Sequence, residues 1–116
     1  MDFRNLNGAE LNAEVAKLEG EPVAIKGDKA VHPKDLWPYV YDYAETPSLS
    51  WFIINRERIS IFQSDNGGWH ALPRGWLSDP RRKTPQVWGP TPLVAAMRAY
   101  VGSKLPSKFT HTRWPA

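Results

Sequence analysis

The stretch Arg58-Ile59-Ser60-Ile61-Phe62-Gln63-Ser64-Asp65-Asn66-Gly67-Gly68-Trp69-His70-Ala71-Leu72 decides the fold. Ile59 and Ile61 alternate with Arg58, Ser60 and Phe62, the two-residue period of a strand with one buried face. Ser64 to Gly68 is a strong turn signal, because Asn and Gly tolerate the positive φ angles that tight hairpins demand. Trp69 to Leu72 is therefore expected to return as the antiparallel partner of Arg58 to Gln63, with His70 on one sheet face between Trp69 and Ala71. Just upstream, Trp51-Phe52-Ile53-Ile54 is a continuous apolar run that periodicity cannot assign; it reads as a helical turn leading into the strand.

Working outward, the chain predicts a helix at each end. Asn7 with Glu10 fits a capping box, Leu6 and Leu11 fit a hydrophobic staple, and Gly20 supplies a stop. Leu11, Val15 and Leu18 form the apolar stripe, with Glu10, Asn12, Glu14 and Lys17 largely off it. Thr91 caps the second helix with Pro92 at its first position, and Leu93, Met97 and Val101 form its inner stripe, flanked by Val94 and Tyr100. Ala95, Ala96 and Ala99 permit close packing on a sheet, and Gly102 or Leu105-Pro106 ends the helix. Pro22 to Lys26 reads as a short strand stopped by Gly27-Asp28. Residues 29–50 contain Pro33, Pro38 and Pro47 and read as irregular, anchored by Trp37, Tyr39, Tyr41 and Tyr43; the three tyrosines alternate as on a strand face or pack beneath a long loop. Residues 73–90 read as one long loop, with Pro73, Pro80, Pro85 and Pro90 among Arg74, Arg81, Arg82 and Lys83. The order predicts an α+β fold, a small antiparallel sheet with two helices packed on one face and long loops rich in proline and aromatics. Residues 1–106 form the single domain, and residues 107–116 are expected as a flexible tail.

A chain of 116 residues with 41% apolar content fits one domain with one core. It has no apolar run of the ~18 residues a membrane span needs and no secretion-signal pattern at its start, so the expected location is the cytoplasm where it is made, away from membranes. Without cysteine there is no disulfide, no thiolate nucleophile and no cysteine-ligated metal. The formal charge of +3 conceals a division. Residues 1–72 carry seven Lys/Arg against eleven Asp/Glu, a net −4, whereas residues 73–116 carry eight against Asp79 alone, a net +7. The basic half can attract an anion, although charge runs are commonly just solvated faces.

Catalytic signatures are missing. His32, His70 and His111 lack metal-ligand spacing, and no phosphate loop, nucleophile elbow or paired carboxylates are present. The expectation is a non-enzyme without cofactor or metal. Six tryptophans are many for this length, and Trp76, Trp88 and Trp114 lie within two residues of an Arg or a Pro. Aromatic faces beside guanidinium groups suit nucleobase stacking, phosphate pairing and protein contacts, while the same rings could simply staple loops onto a thin core. The expected ligand-binding set is Trp51, Trp69, Arg74, Trp76, Arg81, Arg82, Trp88 and Arg98. The expected partner is a protein or a nucleotide-type small molecule, with direct nucleic-acid binding through the basic half as the alternative. A homodimer stays open, since two-fold dimers are the commonest homo-oligomers. Arg98, at the border of the second helix's stripe, is expected to be partly exposed, either docking the helix through an ion pair or carbonyl contact or facing loop aromatics such as Trp51 and Trp69 as an anion site.

The second helix also carries a resemblance. Gly89-Pro90-Thr91-Pro92-Leu93-Val94-Ala95-Ala96-Met97-Arg98-Ala99-Tyr100-Val101 resembles the closing motif of the phage NinX-like family. Gly8-Ala9-Glu10-Leu11 with Val15-Ala16-Lys17-Leu18-Glu19-Gly20 is similar to the family's opening helix, Ile53 to Ser60 to its central segment, and Trp69-His70-Ala71 to its Trp-x-Ala. Where the family typically has Pro-Ser-Thr-Asp-Trp and a Gly-Gly-Pro spacer, this chain has Pro47-Ser48-Leu49-Ser50-Trp51 running straight into Phe52. The resemblance implies a phage accessory protein acting in the bacterial host cytoplasm, so that a protein partner is expected to be a host or phage protein, and implies no mechanism.

Overall fold

A computed structural model describes residues 2–36, 40–73 and 86–105. Three helices, α1 (Gly8–Leu18), α2 (Pro47–Glu57) and α3 (Pro92–Lys104), accompany two antiparallel sheets. One is the hairpin of β1 (Ala24–Lys26) and β2 (Lys29–Val31), and the other has the order β3-β4-β5, from Ser60–Gln63, Trp69–Leu72 and Val87–Gly89. The α+β class stands.

The central hairpin forms as its sequence dictates, with Ser60 opposite Leu72 and Gln63 opposite Trp69. Its turn closes through Ser64 N–H to the Gly68 carbonyl at 3.1 Å. β5 departs from expectation, because Val87–Gly89 pairs antiparallel with β4 inside the segment read as loop. Pro90 follows this strand and occupies none of its hydrogen-bonding positions, so it adds to the sheet without a lost N–H.

Helix α3 lies across one face of the three-stranded sheet, touching all three strands, α1 and α2. Ala95 through Gly102 are buried without interruption, so the helix is enclosed on every side rather than buried along one stripe. Small residues make this possible: a Cβ on Gly89 would come within 2.5 Å of Ala95 N and 2.8 Å of its Cα, so only glycine allows β5 to approach the helix this closely. The Thr91 cap forms as expected, its hydroxyl accepting from Val94 N–H at 3.2 Å.

Helix α1 packs on the β1–β2 hairpin and on α3. The expectation of two helices sharing one face of one sheet is corrected accordingly, because β2 was hidden in the segment read as irregular. Asn7 occupies the cap position of α1, yet its side chain makes no capping bond, so the capping box does not form. Leu18, assigned to the stripe, is 40% exposed, while Asn12, placed off it, is buried. Asn12 is held by accepting from Ala44 N–H at 2.9 Å and approaching Glu45, which ties α1 to the 43–45 turn. Tyr41 and Tyr43 stack with ring centroids 6.2 Å apart and are buried as core packing, not as a strand face; Trp37 and Tyr39 lie outside the described residues.

Helix α2 is a full eleven-residue helix where a single turn was expected. Pro47 opens it, and with no glycine or proline from Ser48 to Glu57 nothing interrupts it before Arg58. Ile53 and Ile54 enter the core, whereas Trp51 and Phe52 point outward. No helix among the described residues is long and apolar enough to cross a membrane. The expected tail, residues 107–116, lies outside the described residues.

Candidate functional site

The two faces of β3-β4-β5 have opposite fates. Ile61, Ala71 and Val87 lie opposite one another across the strands and turn towards α3. Phe62, His70 and Trp88 are likewise cross-strand neighbours, so their side chains leave the other face as one row. Phe62 is 38% and Trp88 45% exposed, with His70 half-buried between them. The Phe62 and His70 rings have centroids 5.7 Å apart at 31°. Further along this face Leu72 is buried, so the open part is the row itself.

Trp88 is fixed from the hairpin turn. Its indole N–H donates to the Gly67 carbonyl at 3.0 Å. A Cβ on Gly68 would lie 2.5 Å from the ring, so glycine at φ 77° gives the indole a flat seat against backbone. His70 carries the one buried side-chain polar atom among the described residues that lacks a hydrogen-bond partner, its Nδ1. An orphan of this kind costs about 1–3 kcal/mol, and in native proteins such atoms are few.

One flank of the row, at the strand ends, carries arginines. By register, the chain entering β3, leaving β4 and entering β5 all meet there. Exposed Arg58 precedes β3 in the left-handed conformation, φ 51°, which is unusual for a residue with a side chain. Arg4 donates to the Gln86 carbonyl, next to β5, at 3.2 Å.

Arg98 lies beneath the row's opposite face. It is 7% exposed, which corrects the expectation of partial exposure: enclosure of α3 on all sides leaves no open border. Its Nε donates to the Leu6 carbonyl at 2.7 Å and Nη1 to the Trp88 carbonyl at 2.9 Å, so the guanidinium clamps α3 to the amino-terminal segment and to β5. Burial lowers its pKa, partly offset by Asp2.

The expected site residues are not brought together as one surface. Trp69 alternates to the α3 side and packs against the core. Trp51, 59% exposed, stands on α2 beside Phe52. Trp88 joins the row, while Arg74, Trp76, Arg81 and Arg82 lie outside the described residues. Phe62 was missed because it was read only as part of the strand's alternation; its register partner His70 was considered singly as a base. The signal was available, since Phe62 and His70 are equidistant from the Ser64–Gly68 turn, but without β5 no row could be drawn.

Two other clusters contrast with the row. A cleft of about 390 Å³ at the start of α1 is lined by Asn12, Asp28, Lys29, Asp42 and Glu45, whose excess of carboxylates repels phosphate. At the other end of α1, Arg56 grips Glu19 with two bonds of 3.0 and 2.7 Å, and Tyr100 donates its hydroxyl to the same carboxylate. Those Arg56 bonds hold Glu19 below the usual carboxylate range against the opposing pull of burial, and burial with the Glu19 contact pushes the Tyr100 hydroxyl well up. Each group has its partners within the fold, as in a structural tie. No cluster of three or more His, Asp or Glu suited to a metal occurs among the described residues.

No curated protein matches the chain. The family model described as Bacteriophage P22, NinX matches residues 2–104, from before α1 to the end of α3. The chain therefore belongs to the phage NinX family and is a phage-associated protein.

Proposed function

We propose that this protein is a non-enzymatic binding module whose ligand is of nucleotide type, held on the open face of β3-β4-β5. The observation that carries the reading is the register-matched row Phe62, His70 and Trp88. Exposed rings on a sheet offer π faces to a base, each stack contributing about 1–3 kcal/mol, and the adjacent arginines complement a phosphate. In a ¹⁵N-labelled sample, millimolar thymidine monophosphate is expected to shift the amide resonances of residues 60–63, 69–72 and 87–89. No shift, or shifts confined to the acidic cleft or α2, would sink it.

A second reading, a host or phage protein as partner, draws on Trp51 and Phe52, which are adjacent and 59% and 53% exposed on α2. Large exposed aromatics are favoured anchors of protein interfaces. It predicts that a purified candidate partner loses binding to the double variant Trp51→Ala, Phe52→Ala and retains binding to Phe62→Ala.

A further inference from the structure

We infer that the occupant of the ring row is single-stranded nucleic acid, an inference that rests on the nucleotide-type reading above and narrows it. The length of the row favours a strand over a single nucleotide. Neighbouring strands lie about 4.8 Å apart, so Phe62 on β3 and Trp88 on β5 are separated by nearly 10 Å, two strand spacings. One base covers one ring; using both outer rings takes two bases, and a covalently linked strand supplies the second at high effective concentration.

Accessibility favours an unpaired strand. Phe62 and Trp88 are exposed rings, and a duplex hides the faces of its bases within the stack. An unpaired strand can splay its bases onto a sheet.

Charge agrees. Arg58 stands exposed where the chain enters β3, and Arg4 is bonded to the residue that precedes β5. Both stand at the strand ends along one flank of the row, where a phosphodiester backbone meets positive charge. The carboxylates of the α1 cleft adjoin β2, in the other sheet.

Fluorescence polarisation of a labelled octathymidylate measures the difference, with unlabelled thymidine monophosphate and an eight-base-pair duplex as competitors. The octamer is expected to bind at least about tenfold more tightly than the mononucleotide competes, with the duplex a poor competitor and affinity falling severalfold between about 50 and 200 mM salt. Phe62→Ala is expected to weaken octamer binding about tenfold, with Phe62→Tyr restoring it, because tyrosine keeps the stacking face. Phe62 is the residue to vary, since Trp88 also seats the hairpin turn and its loss would disturb the fold. Equal competition by mononucleotide and octamer overturns the inference and leaves the nucleotide reading in place. Effective competition by the duplex, or octamer binding indifferent to Phe62→Ala, also overturns it. Absence of binding by octamer and mononucleotide alike removes both.

Discussion

Arg98 and Arg58 show how differently two arginines act in one chain. Arg98 is buried and bonded to the carbonyls of Leu6 and Trp88, so replacing it by Met keeps the apolar stem and strands both acceptors. The expected cost is about 2–3 kcal/mol, a fall in Tm of roughly 10–20 °C for a domain of this size, with ligand affinity of the folded variant retained. Unchanged Tm with lost binding would instead make the guanidinium a ligand contact. Arg58 sits at φ 51° with an exposed side chain, so Arg58→Gly relieves backbone strain while removing a charge from the flank of the row. Calorimetry is expected to show stability unchanged or raised by about 1 kcal/mol, alongside weaker octathymidylate binding with a shallower salt dependence. At this scale the sequence was readable where local geometry rules, as at Thr91. It was unreadable at Asn12 and Leu18, whose burial is decided by the 43–45 turn and by where β1–β2 covers α1.

Among the elements, the tie of Glu19, Arg56 and Tyr100 joins the ends of α1 and α2 to α3, and it has a pH signature. The Glu19 carboxyl is held low in the folded protein by Arg56 foremost, so the unfolded chain binds its proton more readily than the folded one does. The resulting stability is present above the ordinary carboxylate pKa and is lost as pH falls through the lowered one. Tm measured from pH 7 down into this acid range is expected to decline, with Glu19→Gln starting lower at neutral pH and declining less steeply. Parallel curves for the two proteins would show that Glu19 is not held low. The hairpin and α3 were legible because their turn and capping residues act locally. Helix α2 was not, since Trp51-Phe52-Ile53-Ile54 buries only its second half and so matches neither period cleanly. β5 was masked by its prolines, which stop a strand only where they would have to donate.

In the whole molecule, α3 lies between the three-stranded sheet and α1, α1 carries the β1–β2 hairpin, and the face of β3-β4-β5 turned away from α3 leaves its rings uncovered. The uneven charge of the sequence, net negative to residue 72 and net positive beyond it, led to the expectation of an anionic ligand. The aromatics expected to meet it were gathered by their neighbours in sequence, whereas strand register selects Phe62, His70 and Trp88 and turns Trp69 inward. Register depends on a third strand that joins from beyond a long connection, which no local pattern announces. The most direct measurement is photo-crosslinking of an octamer carrying 5-iodouracil, with the adducts located by mass spectrometry. The account predicts adducts on Phe62, His70 or Trp88, lost in Phe62→Ala at the first and competed away by octathymidylate. Adducts confined to Trp51, Phe52 or the residues of the acidic cleft would contradict it.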